Sequence, residues 1–473
     1  MRRKLLFLMA LLVSSTMAWA DDSGNCGDGV TYSYVESTHT LTISGMGAMA
    51  DYETTNIPWE SNKNDITSVV IENGVTSIGT LAFYQCDNLA SVSIPASVTS
   101  IGQYAFTECG KSTTALTVTF ATGSTLTTIG EGAFQQAKLT SITIPASVTS
   151  IGAEAFDQCE YLTTIDIPAS VTSIGARAFH GCGNKVDAAL TVTFASGSSL
   201  TTIGGNAFGE TKLSSISIPA SVTSIGWSAF NSCTLTTVSI PASVTSIGES
   251  AFNGCEYLTT VTLHSNPYID YDAFPDNATV TMNLTANSAG GAKWMTFYNQ
   301  NYSFEADAKT QVFKVALSGK GDLTMNKVDN RIVYAGTAVV LKTTGGGNPV
   351  MTLTTPASGD EQANSLRGVA GPGVETSDGT MFVLNNGSQG VGFYKLTSGK
   401  TLGVGKAYLL YPDPETGGGN TREFFGFGDT TGINDVRGQK EDVRGEYYDL
   451  QGRRVSQPTK GLYIVNGKKV VIK

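Results

Sequence analysis

The chain has 473 residues, too many for one ordinary domain, and at roughly 150 residues per domain about three units are expected. Charged residues make up 15% of it and Gly occupies 53 positions, which is typical of short strands and tight turns and excludes coiled coils, collagens and highly charged disordered chains. The 30 Lys and Arg against 40 Asp and Glu give a net charge of −10, which argues against nucleic-acid binding, and the three histidines argue against a His-built metal site.

The first 20 residues have the features of a signal peptide. A basic segment at 2–4 precedes an apolar run at 5–13 that is too short to cross a bilayer, and residues 18–20 form a small-x-small cleavage site. No later segment reaches about 18 apolar residues, so no transmembrane segment is expected. We therefore expect an exported chain, on the cell surface or outside the cell, that starts near Asp21.

Residues 66–280 repeat the motif Ser-Ile-Gly-x-x-Ala-Phe nine times with small changes. Successive motif phenylalanines are 22 to 29 residues apart, and the two longest intervals both contain Ala-Leu-Thr-Val-Thr-Phe-Ala. Self-similarity at such a period indicates a solenoid, because one short unit cannot bury its apolar face without neighbours. The motif phenylalanines are Phe83, Phe106, Phe134, Phe156, Phe179, Phe208, Phe230, Phe252 and Phe274.

One repeat shows how the others are expected to fold. In the segment 139–144, Ile142 and Ile144 alternate with Ser141 and Thr143, which predicts a half-buried strand, and Pro145 ends the strand because it cannot donate to the ladder. Val148 and Ile151 are expected to face inward on a second short extended piece. Gly152 then permits a turn, and the motif phenylalanine enters the core.

Six of the seven cysteines lie three residues after a motif phenylalanine. Two arrangements are open: a buried stack of free thiols that pack as small apolar groups, or three disulfides between adjacent turns, which an oxidising compartment permits. No Cys-x-x-Cys motif indicates zinc. The cysteines of adjacent turns are Cys86 with Cys109, Cys159 with Cys182, and Cys233 with Cys255.

The pattern Ile-Pro-x-Ser-Val-Thr-Ser-Ile-Gly-x-x-Ala-Phe-x-x-Cys resembles the BspA-type leucine-rich repeat. Residues 21–65 resemble the N-terminal cap of that family, in which two strands and Trp59 would shield the first open edge. The resemblance implies a mainly β, right-handed leucine-rich-repeat solenoid over residues 66–280, in a surface protein of a host-associated bacterium. Some members of the family are adhesins for host matrix proteins.

Residues 285–430 carry no repeat and resemble an accessory domain of outer-surface proteins in the same kind of bacteria. Seven alternating runs, separated by Gly, Asn, Pro and Ser clusters, predict a β-sandwich-like module. The runs are 311–317, 331–334, 338–342, 350–353, 380–384, 392–396 and 406–410.

The tail, residues 432–473, is short and basic. It resembles the end of a C-terminal sorting domain of the type IX secretion pathway, at about half the length of that family's domain. The Asn466-Gly467 pair predicts a β-hairpin turn.

The sequence contains no motif for catalysis, for a cofactor or for a metal. Asp157, Glu160 and Asp166 could approach one another, but paired acids are common on solvated faces. His180 follows a motif phenylalanine at a variable position and is expected at the surface. We therefore expect no enzyme, no cofactor and no metal site.

The outward strand positions carry almost only hydroxyl groups, which predicts a flat polar sheet. Such a sheet serves solubility and cross-strand pairing, or it offers a face for a protein or a glycan. Aromatic residues and one arginine at variable repeat positions are the candidate binding residues: Tyr84, Tyr104, Tyr161, Arg177, Trp227 and Tyr257.

Three functions follow from these features. The first is adhesion, by binding host extracellular-matrix or other surface proteins through the solenoid. The second is glycan capture for nutrient uptake, in which Trp227 or Trp294 would supply an aromatic platform. The third is a structural spacer without a specific ligand.

Overall fold

The structure is a computed structural model of the chain, and it divides into two compact units, Met1–Asn283 and Leu284–Lys473. The proposed signal peptide at 1–20 lies outside the described residues, as does most of 411–446. The described residues are 22–112, 115–289, 292–317, 323–344, 347–354, 364, 366–369, 374–375, 381–387, 390–396, 400–402, 406–410, 424–426, 447–448, 454–455, 461–465 and 468–472.

The first unit is a stack of nine turns, each of which has a buried motif phenylalanine. Most turns contribute a four-residue strand that buries alternate side chains and pairs in parallel with the neighbouring turns, as Ser91 does with Thr117. This confirms the predicted mainly β solenoid. The strands of this face are Ser68–Ile71, Ser91–Ile94, Thr117–Phe120, Thr164–Ile167, Thr191–Phe194, Thr237–Ile240, Thr260–Leu263 and Thr279–Asn283.

The second extended piece of each turn forms a ladder of its own, ten strands long. Val148 and Ile151 are buried, as expected, and Ile151 pairs in parallel with Ile129 and Ile174 of the adjacent turns. The ladder consists of Gly47–Ala48, Val75–Ile78, Ser100–Ile101, Thr128–Ile129, Ser150–Ile151, Ser173–Ile174, Thr202–Ile203, Ser224–Ile225, Ser246–Ile247 and Tyr268–Ile269.

The prediction of a strand at 139–144 is wrong, because these residues do not form a continuous ladder with either neighbouring turn. Residues 141–144 keep the alternation of buried and exposed side chains, but only isolated bridges form, from Leu139 to the preceding turn and from Thr143 to the following one. Leu139 precedes the first strand isoleucine by three residues, whereas Leu116 precedes Val118 by two. This offset does not explain the missing strand, because the turns of Leu89 and Leu116 differ by the same one residue and still pair from Ser91 to Ile94.

A third hydrogen-bonded ladder runs through the motif phenylalanines, and no pattern in the sequence predicts it. In the turn around Phe156, the N–H groups of Glu154, Phe156 and Gln158 donate to carbonyls of the next turn at 2.7–2.8 Å. The residue two positions before each motif phenylalanine has a positive φ, and so does the residue two positions after each of the first eight. Fourteen of these residues are not glycine, and their φ angles lie between 49° and 63°. We call this element the phenylalanine ladder.

The phenylalanine rings stack along the solenoid axis inside this ladder. Neighbouring ring centroids are 5.0–5.7 Å apart, and the ring planes lie within 14° of parallel. Each ring therefore buries its faces against the turns before and after it, which is why a single turn has no stable core.

The glycine four residues before each of the first eight motif phenylalanines is required for space and not, as predicted for Gly152, to permit a turn; the ninth turn has Asp270 at this position. None of these eight glycines has a positive φ, but a Cβ would come within 1.8–2.7 Å of main-chain atoms of the preceding turn. Only glycine allows the turns to approach so closely. The eight are Gly79, Gly102, Gly130, Gly152, Gly175, Gly204, Gly226 and Gly248.

Trp59 closes the N-terminal end of the phenylalanine ladder. Its ring stacks on Phe83 at 5.5 Å, and its indole Nε1 donates to the carbonyl of Ala82 at 3.0 Å. It thereby supplies the ring and the N–H group of a missing turn. The segment before the repeats contains the strands Asp22–Gly27, Val30–Val35 and Thr40–Gly45 and the 3-10 helix Glu36–Thr38, and the last strand pairs in parallel with Ser68–Ile71.

The six repeat cysteines form a buried stack of free thiols, the first of the two expected arrangements. In five of them the Sγ–H donates to the carbonyl of the phenylalanine in the preceding turn, as Cys109 does to Phe83 at 2.9 Å. Burial raises the pKa of Cys109, Cys159 and Cys233 well above the ordinary value.

We expect these thiols to be unreactive while the protein is folded, because all six are buried and a reagent cannot reach them. This includes Cys255, whose pKa is lowered by a hydrogen bond with Cys233. Ellman's reagent at about pH 8 should detect almost no thiol in the native mature protein and seven in guanidinium chloride. A count of one in guanidinium chloride, from Cys26 alone, would instead indicate three disulfides.

The second unit contains two antiparallel sheets with a shared core, as predicted for a sandwich-like module. Val315 and Val340 of the first sheet pack with Phe382, Phe393 and Leu409 of the second. The first sheet consists of Asn287–Ala289, Ala292–Phe297, Val339–Thr344, Thr310–Leu317 and Leu323–Val328, and the second of Leu366–Gly368, Ala407–Leu410, Met381–Gly387, Gly390–Lys395 and Phe424–Gly426.

Further short strands complete this unit. Gly461–Val465 and Lys468–Ile472 form the hairpin predicted for the tail, and Tyr447–Tyr448 and Arg454–Val455 extend it. Ser303–Ala306 pairs antiparallel with Ile332–Val333 and Val350–Thr354, and Val374–Glu375 pairs with Thr401–Leu402.

Candidate binding surfaces of the repeats

The outward strand positions form the polar face that the sequence predicts, which we call the hydroxyl sheet. Some of its polar groups form hydrogen bonds with one another: the Ser91 hydroxyl donates to Ser68 Oγ at 3.1 Å, and the Thr193 hydroxyl donates to the carboxylate of Asp166. All of these side chains are exposed except Thr262, which is partly buried: Ser91, Ser93, Thr117, Thr119, Ser141, Thr143, Thr164, Asp166, Ser215, Ser217, Thr237, Ser239, Thr260 and Thr262.

An open groove of about 500 Å³ lies at the margin of this sheet, just before the strands begin, and we call it the Tyr161 groove. Lys138 places its ammonium group 5.4 Å from the centroid of the Tyr161 ring. The groove therefore combines an aromatic ring with charged and amide groups in one depression. It is lined by Lys111, Gln136, Ala137, Lys138, Gln158, Glu160 and Tyr161.

The groove lies where a shorter turn precedes a longer one. The sequence Cys-Glu-Tyr-Leu occurs at 159–162 and again at 255–258, and each copy follows a turn that is one residue shorter, Ala-Lys-Leu at 137–139 and Cys-Thr-Leu at 233–235. The two places differ in the residue beside the tyrosine, because Lys138 borders the groove at Tyr161 and Thr234 has the equivalent position near Tyr257. Tyr257 is 62% exposed.

The other candidate residues do not join this groove, so the six do not form one site. Tyr84 is partly buried, and the Tyr104 hydroxyl donates to Glu131 at 3.0 Å while its ring lies over Gly132. Arg177 contacts the carboxylate of Asp157 at 3.3 Å.

The two tryptophans proposed as aromatic platforms differ in their surroundings. Trp227 is 54% exposed, and its pyrrole ring lies against Gly205, where a Cβ would come within 2.2 Å of Nε1. Trp294 instead packs against the core of the second unit, with Lys342 Nζ 4.6 Å from its ring centroid. Only Trp227 of the two offers a free aromatic surface.

His180 is buried, so its expected place at the surface is wrong. Its exposed fraction is 4%, and its Nδ1 is 2.8 Å from Oδ1 of Asp157, which is buried as well. The side chain lies between adjacent turns of the phenylalanine ladder, and the next turn has Gly209 at the equivalent position, whose added Cβ would lie 3.4 Å from His180 Cδ2.

The buried pair does not form a catalytic arrangement. The nitrogen that would activate a nucleophile, His180 Nε2, faces a carboxylate oxygen of Glu210 at 3.6 Å. Burial alone would raise the pKa of Asp157, but hydrogen bonds from His180 and Gln135 and the nearby Arg177 guanidinium lower it. The pair thus holds a charged carboxylate between turns.

Within the described ranges, no group of three His, Cys, Asp or Glu side chains is placed to hold a metal ion.

Stacked parallel turns with a buried aromatic ladder and exposed polar faces define a leucine-rich-repeat solenoid, a class of protein that binds through its repeats and typically lacks enzymatic activity. The chain belongs to the BspA-type leucine rich repeat family, whose repeat occurs in six matching copies over residues 61–186 and 187–302.

Several solved structures are similar to this chain, although their low TM-scores mean that family membership rests on the repeat match. A leucine-rich repeat protein from Eubacterium ventriosum is 26% identical, with a TM-score of 0.40 over 55% of this chain and 78% of that one. A leucine rich cell surface protein from Faecalibacterium prausnitzii is 24% identical, with a TM-score of 0.23 over 51% of this chain and 88% of that one. The pneumococcal vaccine antigen PcpA is 19% identical, with a TM-score of 0.28 over 52% of this chain and 85% of that one.

No curated protein matches the chain. Among the residues that the structure describes, no helix has the length and apolar character needed to span a membrane.

Proposed function

We propose that this chain is an exported surface protein that binds host extracellular-matrix or other surface proteins through its repeats, without catalysis. The observation that carries the proposal is the Tyr161 groove at the margin of the hydroxyl sheet. A flat exposed sheet supplies contact area, and a ring held beside an ammonium group is the kind of anchor that protein interfaces use. The signal-peptide features at 1–20 support export, and the tail at 432–473 is proposed as a sorting segment.

The test is binding of the mature protein, residues 21–473, to immobilised collagen, fibronectin, laminin and fibrinogen at low and high salt. We expect saturable binding to at least one of them, weakened about tenfold by Tyr161→Ala. Tyr257→Ala is the matched control, because it removes the same side chain from the same local sequence, with Thr234 in place of the lysine at 138.

Two results would contradict the proposal. The first is the absence of saturable binding to all four matrix proteins. The second is binding that Tyr161→Ala and Tyr257→Ala leave equally strong, which would exclude the groove as the anchor.

A further inference from the structure

Four successive turns carry a row of residues on the outside of the phenylalanine ladder, each three positions before the motif phenylalanine. Gly205, Trp227, Glu249 and Tyr271 form this row, which we call the aromatic row. Trp227 and Tyr271 are 54% and 65% exposed, and Glu249 between them is exposed as well. We propose that the aromatic row is a binding site for a neutral, extended glycan, distinct from the Tyr161 groove.

The position of the Trp227 indole is fixed by the turn before it. A Cβ on Gly205 would lie 2.2 Å from Nε1 and 2.4 Å from Cε2 of Trp227, so the indole occupies the space that a side chain would fill. Two earlier turns have Ala153 and Ala176 at this position. The glycine thus lets an exposed aromatic ring lie against the ladder, which gives a platform of the kind that apolar sugar faces contact.

The spacing of the row suits an extended chain of sugars. The rings of Phe230, Phe252 and Phe274 are 5.1 and 5.7 Å apart, so Trp227 and Tyr271 lie two such turns from each other. The rise per sugar in an extended β-linked glycan is close to this turn spacing. Alternate sugars would therefore meet the two aromatic rings.

Polar groups beside the rings would bind the sugar hydroxyls. Glu249 lies in the row between Trp227 and Tyr271, where its carboxylate would accept hydrogen bonds from the intervening sugar. Ser228 and Ser250 follow in the next column, and their N–H groups hold the row in place by donating to the carbonyls of Glu249 and Tyr271 at 2.8 and 3.0 Å. Aromatic rings with convergent polar groups are typical of sugar sites.

The local charge indicates a neutral ligand. Residues 213–283 contain five Asp and Glu residues and no Lys or Arg. Such a surface repels sulfated or carboxylated glycans. A basic peptide would also be attracted to this surface, and a lysine-rich peptide is therefore the competing ligand in the test.

The test is calorimetric titration of the mature protein with neutral hexasaccharides of glucose, xylose and mannose, with heparin oligosaccharides and a lysine-rich peptide as the other arms. We expect a neutral hexasaccharide to bind and to change the fluorescence of Trp227. Trp227→Ala should weaken binding about tenfold or more, and Tyr271→Ala by several-fold.

Gly205→Ala tests the placement of the ring and not its presence. The three atoms nearest to the new methyl group all belong to the Trp227 side chain, which is 54% exposed and can turn toward solvent, so the fold should persist while the indole is displaced and the affinity falls. Tyr257→Ala, an equally exposed aromatic residue outside the row, should bind the glycan like the unchanged protein. Tyr161→Ala should also keep glycan binding, which separates this site from the proposed protein-binding groove.

The proposal is overturned if no neutral hexasaccharide binds, or if Trp227→Ala binds as well as the unchanged protein. Tighter binding of heparin or of the lysine-rich peptide would overturn it too, because the row would then recognise charge.

Discussion

Replacing Phe156 by alanine is expected to destabilise the repeats by ~3–5 kcal/mol. The Phe156 ring lies between those of Phe134 and Phe179, with centroids 5.3 and 5.2 Å away, so its removal leaves a cavity that two turns border. Each turn depends on its neighbours, and the loss should therefore divide the solenoid locally. Urea unfolding followed by circular dichroism measures the loss, and hydrogen exchange of the ladder amides locates it.

Phe120→Ala is the matched control for this variant. Phe120 ends a strand of the hydroxyl sheet and is only partly buried, so its loss should cost much less. If Phe120→Ala and Phe156→Ala lowered the free energy of unfolding equally, the ring stack would not be the main core of the repeats.

Replacing Gly175 by alanine is expected to be at least as damaging, although it adds only one methyl group. The Cβ would lie 2.4 Å from the main-chain nitrogen of Ala153 and 2.5 Å from the carbonyl carbon of Gly152, and main-chain atoms cannot move aside as a side chain does. The two turns must separate, which should cost more than the ~1–3 kcal/mol of ordinary overpacking. Urea unfolding and the yield of folded protein measure the effect.

Gly347→Ala serves as the control for this second substitution. A Cβ at Gly347 would meet no atom within 4 Å, and its φ is not in the positive range. This variant should leave stability nearly unchanged or slightly raised, since alanine reduces the freedom of the unfolded chain. Equal stability of the Gly175→Ala protein would show that the turns are not in close contact.

Much of the architecture can be predicted by comparing the repeats with one another. The motif phenylalanines, the inward isoleucines and the cysteines recur from repeat to repeat, and they are buried as predicted except Ile216, which is partly buried. The outward hydroxyl positions are exposed for the same reason, because alternation along a strand decides which face meets solvent. The seven runs predicted in residues 285–430 all contain strands.

The candidate binding residues are predicted less well. Residue type and variability between repeats indicate Tyr161 and Trp227 as binding residues. They do not indicate Lys138, which lies beside Tyr161, or Gly205, which lies against the Trp227 ring. Two signals in the sequence could have pointed to them. One is a lysine in the short turn at 137–139, where the turn at 233–235 has threonine, and the other is a glycine where other turns have a side chain.

The number of turns, their core residues and their polar face follow from the repeats alone, because each repeat encodes its own pattern of burial. What happens between turns depends on the folded stack: the burial of His180 beside Asp157, the need for glycine at Gly175 and the place of the Trp227 indole. These features depend on distances between residues more than 20 positions apart. Such distances are fixed by how closely the turns stack, and no pattern within one repeat contains them.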